Sequence, residues 1–269
     1  MLRLPAVAGQ FYPANPQELA AFVRRLTYQP NAQQKSHVKA CLVPHAGYVY
    51  SGRVAGAVFA KTHIPRCVVI LGVRHFPRGA EVAIRSEGAW RTPLGDVPVH
   101  AMFASELKLA CPLLVEDAIA HEQEHSLEVQ LPFLQALQPD VQIVPIALGT
   151  VPWADLESVG TRIGQAIAAA GEDVLLLTTS DLNHYEDEAT TQKKDALAIA
   201  ELEAMNARKL QEVCRSESIS MCGLGPALAM IFALEKMGAT RAEVVAHATS
   251  AAVSGDRRRV VGYAGLLFD

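Results

Sequence analysis

The sequence predicts an α/β fold, because apolar runs typical of buried strands alternate along the chain with segments that have helical spacing. Three such runs lie at residues 38–43, 67–71 and 174–179. Segments 51–61 and 124–137 carry apolar residues at the intervals of helices that pack on a sheet. This alternation is typical of a sheet flanked by helices.

The remaining segments continue the alternation. We predict further strands at residues 141–147, 241–249 and 259–267, and further helices at residues 152–170, 193–213 and 225–237. Between residues 81 and 99 the pattern changes to short runs broken by glycine and proline, which predicts a hairpin-like insertion. Gly95 and Asp96 are expected to form its turn, between 90–92 and 97–99, and its edge is expected to rim a pocket.

Length and composition favour one domain, residues 1–269. Hydrophobic residues make up 50% of the chain and charged residues 19%, below the roughly 25% of average soluble domains, so a large share of the chain must be buried. We find no linker, repeat or low-complexity tract that marks a boundary. A net charge of -4 argues against nucleic acid as a main partner.

Targeting and cofactor signals point to a cytoplasmic protein with no membrane partner. The first residues lack a charged segment followed by an apolar one, and the apolar runs fall far short of the ~20 residues that span a bilayer. The five cysteines show no Cys-x-x-Cys spacing and fit reduced thiols better than disulfides. Glycine-rich phosphate motifs are missing, so we expect no nucleotide cofactor.

Histidines follow each of the three apolar runs described first. His45, His75 and His184 stand in the segments 44–48, 72–75 and 180–185. In an open α/β sheet, ligands bind in the crevice beyond the carboxyl ends of the strands, so these imidazoles are expected to converge there. Imidazole is a common ligand of borderline transition metals and moves protons near neutral pH. The sequence therefore predicts a metal pocket.

Seven short motifs, in order along nearly the whole chain, resemble those of the Memo family. They are residues 5–13 (PAVAGQFYP), 44–48 (PHAGY) with 50–52 (YSG), 91–95 (RTPLG), 124–128 (EHSLE), 180–185 (SDLNHY), 221–223 (MCG) and 261–264 (VGYA). Each motif alone is a weak signal, and it is their shared order that carries the resemblance.

The resemblance implies a single-domain α/β fold with a central mixed sheet, similar to the LigB-type class III extradiol dioxygenases, which use non-heme iron(II). Memo proteins are described as binding copper or iron with a redox role, and the vertebrate member also as a phosphotyrosine-peptide adaptor. The implied cofactor is therefore iron(II) or copper, and the implied ligand is a small molecule or a peptide. Prokaryotic relatives are grouped with a radical-SAM protein and an AMMECR-type protein, which are the implied partners.

Carried over by position, the family's metal pocket falls on His45, His75 and Cys222, with Asp181 and His184 beside it. Two imidazoles and one anionic group leave open coordination positions, as in the non-heme iron oxygenases. A cysteine in the anionic role makes the site softer and the ligand itself oxidisable, which weakens a simple dioxygenase assignment.

Two of these ligand assignments have alternatives. His45, between Pro44 and a small Ala-Gly pair, is expected to be a ligand, and the alternative is a structural hydrogen-bonded histidine. His75 departs from the family's usual Gly-Pro-x-His, because Val73 and Arg74 precede it. Arg74 would either disfavour a dication at this position or bind an anionic substrate.

His184, Asp181 and His125 are the candidate catalytic residues. His184 is expected to do acid/base work, oriented by the Asp181 carboxylate, and the alternative is that Ser180 and Asp181 cap a helix. Residues 121–125 read His-Glu-Gln-Glu-His and match the zincin pattern in letters, but the predicted helix begins after the match. The resemblance instead places His125 at the pocket, where it would bind substrate or hydrogen-bond a ligand.

Tyr48 and Tyr185 flank the expected ligands. With Arg74, they are the candidates for substrate binding, and core packing of the tyrosines is the alternative. Arginines 257–259 form a short basic run that predicts a solvated loop.

Two functional classes compete. The first is a metal-dependent redox protein of unknown substrate, which needs an open coordination position and a proton-transfer group. The alternative is a non-catalytic binding or metal-handling protein that keeps the pocket for peptide or small-ligand recognition, and it needs only the cleft.

Overall fold

Three buried parallel strands form the centre of the molecule. The computed structural model describes residues 1–28 and 35–269. Strands β2 (Ala40–Val43), β9 (Val174–Thr179) and β3 (Cys67–Val73) lie side by side in that order and are parallel. Because they are buried on both faces, they consist of nearly continuous apolar runs.

The other strands extend this sheet or form a second one. The remaining strands are β1 (Leu2–Arg3), β4 (Val82–Ile84), β5 (Ala89–Thr92), β6 (Gly95–Pro98), β7 (Val115–Glu116), β8 (Gln142–Leu148), β10 (His184–Glu186), β11 (Ala242–Thr249) and β12 (Val260–Phe268). Within the described residues, the large sheet has nine strands in the order β10-β12-β2-β9-β3-β8-β4-β7, with β11 paired to β12. Strand β12 is antiparallel to β2, and β4 is antiparallel to β8. The sheet is therefore mixed, and the predicted α/β class is confirmed.

Helices flank the large sheet. They are α1 (Pro16–Leu26), α2 (Tyr48–Lys61), α3 (Ala101–Ala110), α4 (Ile119–Glu122), α5 (Leu131–Leu137), α6 (Trp153–Ala169), α7 (Glu188–Glu203), α8 (Ala207–Ser216), α9 (Leu224–Met237) and α10 (Ala251–Ser254), and a 3-10 turn spans Glu128–Gln130. Helix α9 packs on the three central strands, and α2 packs on β2, β11 and β12. Helix α6 approaches α9 closely because Gly160 and Gly164 face the backbone of α9, where a Cβ atom would collide with carbonyl oxygens.

The carboxyl ends of the central strands open on the same edge of the sheet. Val43 is in register with Thr179, and Leu71 is in register with Thr178. The loops that follow these strands therefore emerge together, and they carry His45, His75 and Asp181. The sheet register thus brings together residues that are far apart in the chain.

The predicted helix at 124–137 is wrong at its start. The segment becomes helical only at the 3-10 turn, and α5 begins at Leu131. The cause is the buried carboxylate of Glu124, which accepts the backbone N–H groups of Ser126 and His75 and holds this stretch in a loop. That loop carries His125.

The predicted helix at 193–213 is two helices, α7 and α8. Met205 adopts a positive φ of 49°, which ends the first helix. The side chain of Asn206 then caps α8 by accepting the backbone N–H of Lys209.

The predicted hairpin exists, but its turn lies two residues earlier than expected. Thr92 pairs with Gly95, so Pro93 and Leu94 form the turn and Gly95 belongs to the second strand. The hairpin joins β1 in a three-stranded sheet. Trp90 contacts His121 and Thr92 bonds to Gln135, so these two hairpin side chains face α4 and α5 instead of a pocket rim.

One large sheet takes strands from residue 40 to residue 268, an arrangement compatible with the single-domain prediction. Along residues 1–28 and 35–269, we find no helix long and apolar enough to cross a membrane.

Candidate metal centre

Three ligand-type side chains meet beyond the carboxyl ends of the central strands. His45 follows β2, His75 follows β3, and Cys222 lies two residues before α9. One donor atom from each lies within 4.8 Å of the others. Two atoms bound to one metal at about 2.0–2.3 Å lie at most roughly 4.6 Å apart, so this spacing suits a shared ion.

His45 is buried and held at both ends of its ring. Its Nδ1 lies 2.8 Å from the Thr179 hydroxyl, and its Nε2 lies 3.2 Å from the sulfur of Cys222. Burial, together with the positive charge of a protonated His75, lowers the pKa of His45 to about 3. The ring is therefore neutral at physiological pH, which is the form that binds metals.

His75 is positioned by the carboxylate of Glu124. Its backbone N–H donates to Oε2 at 2.6 Å, and its Nδ1 lies 2.9 Å from Oε1. With Nδ1–H donating to the carboxylate, Nε2 carries the lone pair and is the nitrogen available to the cluster. Burial alone would raise the pKa of Glu124, but the hydrogen bond and charge of His75 outweigh it and lower that pKa to about 2.

Cys222 supplies the sulfur of the cluster. Its Sγ accepts the backbone N–H of Asp181 at 3.3 Å. Burial and the nearby charge of Asp181 raise the pKa of this thiol well above its usual range. Because the thiolate is the form that coordinates metals, Cys222 must lose its proton on becoming a ligand.

Asp181 has a different role from the one expected. Its Oδ1 accepts the backbone N–H of His45 at 2.9 Å, which fixes the loop after β2. The His184 ring instead turns its Nδ1 to the carbonyl of Ser220, at 3.0 Å. The predicted pairing of Asp181 with His184 is therefore wrong. The helix-cap alternative is wrong as well, because the extended strand β10 follows.

His125 lies beside the cluster, as expected. Its ring stacks on that of His75 with centroids 4.5 Å apart and lies 5.6 Å from that of His45. Burial, followed by the charge of a protonated His45, lowers the pKa of His125 to about 4. This ring is neutral near pH 7 and stands next to the expected ligands.

The His-Glu-Gln-Glu-His string does not form a zincin site. Helix α4 ends at Glu122, so His121 and His125 do not share a helical face. His121 is fully buried against the ring of Trp90, with centroids 5.6 Å apart. The two histidines thus belong to different environments.

The predicted substrate-binding role of Tyr48 is wrong. Its side chain is buried, because Tyr48 begins α2 and points into the core. The hydroxyl donates to the carbonyl of Val129 at 2.6 Å, and the ring contacts Phe133. The core-packing alternative describes this residue.

Tyr185 is exposed and adopts a positive φ of 64°, a strained conformation for an aromatic residue. Its ring lies beside His184 and beneath the guanidinium of Arg259. Substrate binding by Tyr185 stays a prediction.

Arg74 lines the cleft that leads to the cluster. This cleft of about 360 Å³ is also bordered by His75, Cys222 and Thr150. The guanidinium forms an ion pair with Glu81 and hydrogen bonds to the carbonyls of Phe76 and Gly79. The negative charge of Glu81 offsets the positive charge of Arg74. Arg74 is therefore compatible with a dication bound by the nearby donors.

Two residues of the site were not predicted, Glu124 and Thr179. Each bonds to the Nδ1 atom of one candidate ligand histidine. The available signal for Glu124 was a carboxylate in the His-rich run 121–125. For Thr179 there was none beyond its place at the end of a strand.

The residues present fit a soft or borderline transition metal. Two imidazole nitrogens and one sulfur suit copper, zinc or iron better than magnesium or calcium. Each histidine has its other nitrogen hydrogen-bonded, as metal-bound histidines usually do. The geometry and chemistry of the three donors are therefore compatible with a bound transition-metal ion.

A protein-family model and full-length relatives match nearly the whole chain. The family model for Memo-like proteins matches residues 3–267. A MEMO1 family protein of Methanopyrus kandleri is 39% identical, covering 100% of this chain and 99% of that protein, and one of Archaeoglobus fulgidus is 41% identical, covering 99% of each. An uncharacterized Escherichia coli K12 protein of known crystal structure aligns with a TM-score of 0.49 and 14% identity, over 84% of this chain and 99% of that one. The chain belongs to the Memo family.

Proposed function

We propose that this protein binds one redox-active metal ion, iron(II) or copper, through His45, His75 and Cys222, and acts as a metal-dependent redox protein. The observation that carries the proposal is the meeting of three donor atoms within 4.8 Å beside an open cleft. A bound ion would supply electron transfer and open coordination positions for a substrate.

The surrounding residues support this role by orienting the donors and limiting water. Thr179 and Glu124 hold the two imidazoles from behind, and Asp181 holds the backbone of His45. His45 is almost fully buried, so one side of the site is shielded from solvent, while the cleft beside His75 and Cys222 gives a substrate access. These are conditions under which a metal reacts selectively.

His125 is our preferred proton-transfer group. It is neutral near pH 7, and its ring is stacked on that of His75. His184 does not belong to the group of donor atoms, and its Nδ1 already contacts the Ser220 carbonyl, so we assign it a secondary role together with Tyr185. Asp181 serves to position the loop.

The second candidate function is metal handling or ligand binding without turnover. It is favoured by the position of His184, which leaves the expected acid/base pair with Asp181 unformed. The proposed partners, a radical-SAM protein and an AMMECR-type protein, rest on the family resemblance and fit either function.

The test is metal content by mass spectrometry on untagged protein purified anaerobically. Wild type is compared with His45→Ala and Cys222→Ser, and His184→Gln serves as the matched histidine control. We expect close to one iron or copper per chain in wild type and in the control, and loss in the other two variants. A metal-free wild type that takes up neither ion on reconstitution would overturn the proposal.

A redox titration of the loaded protein separates the two candidate functions. The redox role is supported if the bound ion cycles between two oxidation states and oxygen or substrate is consumed. Metal handling is supported if the bound ion keeps one oxidation state and nothing is consumed.

A further inference from the structure

A second set of metal-ligand side chains lies at the opposite end of the sheet. It consists of His37, His63 and Asp173, with one donor atom from each within 4.8 Å of the others. The two imidazole rings are stacked, with centroids 4.0 Å apart, and both present a nitrogen to the same carboxylate oxygen. All three side chains are open to solvent, with exposed fractions between 41% and 72%.

The backbone holds these three residues in place. His37 precedes β2, His63 precedes β3 and Asp173 directly precedes β9, and these three strands are adjacent and parallel. Ser36 links this segment to the chain before β3, since its N–H donates to the carbonyl of Lys61 and its own carbonyl accepts the N–H of His63, both at 2.8 Å. The side chains therefore share one small area because of the sheet itself.

Hydrogen bonding does not account for the cluster. His37 Nδ1 lies 3.5 Å and His63 Nε2 lies 3.9 Å from Oδ2 of Asp173. Both distances exceed the 2.7–3.2 Å of a normal N–H···O bond, whereas they are within the spacing of two atoms that bind one ion. The stacked rings would also repel each other if both were protonated. A cation between ring nitrogens and carboxylate satisfies all three groups.

A neighbouring set, Cys67, His100 and Glu172, has similar spacing but different chemistry. Here Nδ1 of His100 accepts the N–H of Phe103, so Nε2 carries the proton and donates to Glu172 at 3.0 Å. Burial also raises the pKa of Cys67 to about 12. This set is a completed hydrogen-bond network, whereas His37, His63 and Asp173 lie too far apart for normal hydrogen bonds.

We propose that His37, His63 and Asp173 form a second, solvent-facing site for a borderline divalent cation such as Zn²⁺. Two imidazoles and one carboxylate are a common zinc donor set, and exposure leaves room for water to complete the coordination. The groove around the site also holds Glu172 and Lys39, so carboxylates outnumber cations there. Bound metal would tie together the amino ends of β2, β3 and β9.

The test uses untagged protein with the first centre disabled by the double substitution His45→Ala and Cys222→Ser. Zn²⁺ binding is measured against a chromophoric chelator in this background. We expect one equivalent of Zn²⁺. His37→Gln and Asp173→Asn should each weaken its binding at least tenfold, while Asp140→Asn, which removes an exposed carboxylate elsewhere, should not change it.

Two results would overturn the proposal. One is the absence of Zn²⁺ binding in the background variant, provided that its circular dichroism spectrum matches wild type. The other is binding that Glu172→Gln abolishes and Asp173→Asn leaves intact, because the ion would then occupy the set with Cys67 and His100. If the background variant does not fold, the same substitutions in wild type give the answer, since Asp173→Asn should then remove one bound equivalent. The effect of Asp173→Asn therefore tests the second site whether or not the first centre binds a metal.

Discussion

The buried carboxylate of Glu124 holds His75 at two points, its backbone N–H at 2.6 Å and its ring Nδ1 at 2.9 Å. The same carboxylate accepts the N–H of Ser126 at 2.8 Å. One side chain thus fixes both the rotation of the candidate ligand and the loop that carries His125. It links the loop after β3 to the loop before α5.

Replacing Glu124 with glutamine should weaken metal binding about 10- to 100-fold, the usual effect of losing a carboxylate behind a metal-bound histidine. An amide has only one oxygen to accept the bonds that two carboxylate oxygens accept now. Metal affinity measured by chelator competition checks this expectation. Glu122→Gln is the matched control, because Glu122 is exposed and two residues away. Equal affinities of Glu124→Gln and wild type would contradict the assignment.

Thr179→Val should lower metal affinity without unfolding the protein, because it removes the hydroxyl that holds Nδ1 of His45. The neighbouring Thr178 provides the control. Its hydroxyl is buried without a hydrogen-bond partner among the described residues, so Thr178→Val should leave metal affinity unchanged and stability equal or higher. The two variants are compared by chelator competition and urea unfolding. A larger loss of affinity in Thr178→Val would refute the role of Thr179.

Arg3→Met should decrease the free energy of unfolding by about 3 to 5 kcal/mol, because it leaves a buried charge without its partner. Arg3 pairs with Glu128, and both side chains are at most 2% exposed. Glu128 also accepts the N–H groups of Ala6 and Val7 and the hydroxyl of Tyr12, so the pair anchors the N-terminal segment. Urea unfolding measures the loss.

The control for this ion pair is Lys61→Met, which breaks a pair with Glu243 that is about 40% exposed. Solvent screening limits such pairs to roughly 0–1 kcal/mol. A loss of similar size in both variants would show that Arg3 and Glu128 do not anchor the fold.

His121 should make the protein less stable as the pH falls from about 6.5 to 4. Burial, followed by the charges of Arg3 and Arg85, lowers its folded-state pKa to about 4, from 6.5 in the unfolded chain. Between these values the unfolded state binds the extra proton, so stability rises with pH. The full shift corresponds to roughly 3 kcal/mol, at about 1.4 kcal/mol per pKa unit.

His121→Phe should flatten this pH dependence, because both ring nitrogens lack hydrogen-bond partners among the described residues and a phenyl ring keeps the contact with Trp90. The measurement is the urea midpoint of metal-free protein at pH 7 and pH 4.5, with wild type alongside. An unchanged difference between the two pH values would mean that other groups control the acid sensitivity.

The sequence alone determined the α/β class, because central parallel strands are buried on both faces and leave continuous apolar runs such as residues 174–179. It also determined that His45 and His75 lie at one edge of the sheet, since both follow such strands. The place of Cys222 came from the family motif, because nothing in its local pattern marks a ligand.

The tertiary structure decided what surrounds those ligands. Thr179 and His45 are 134 positions apart, and Glu124 and His75 are 49 apart, so no local pattern links them. It also decided that Tyr48 faces the core and that Asp181 holds a backbone N–H instead of His184. Local sequence limits which residue types reach the edge of the sheet, whereas side-chain direction and pairing depend on packing between distant segments.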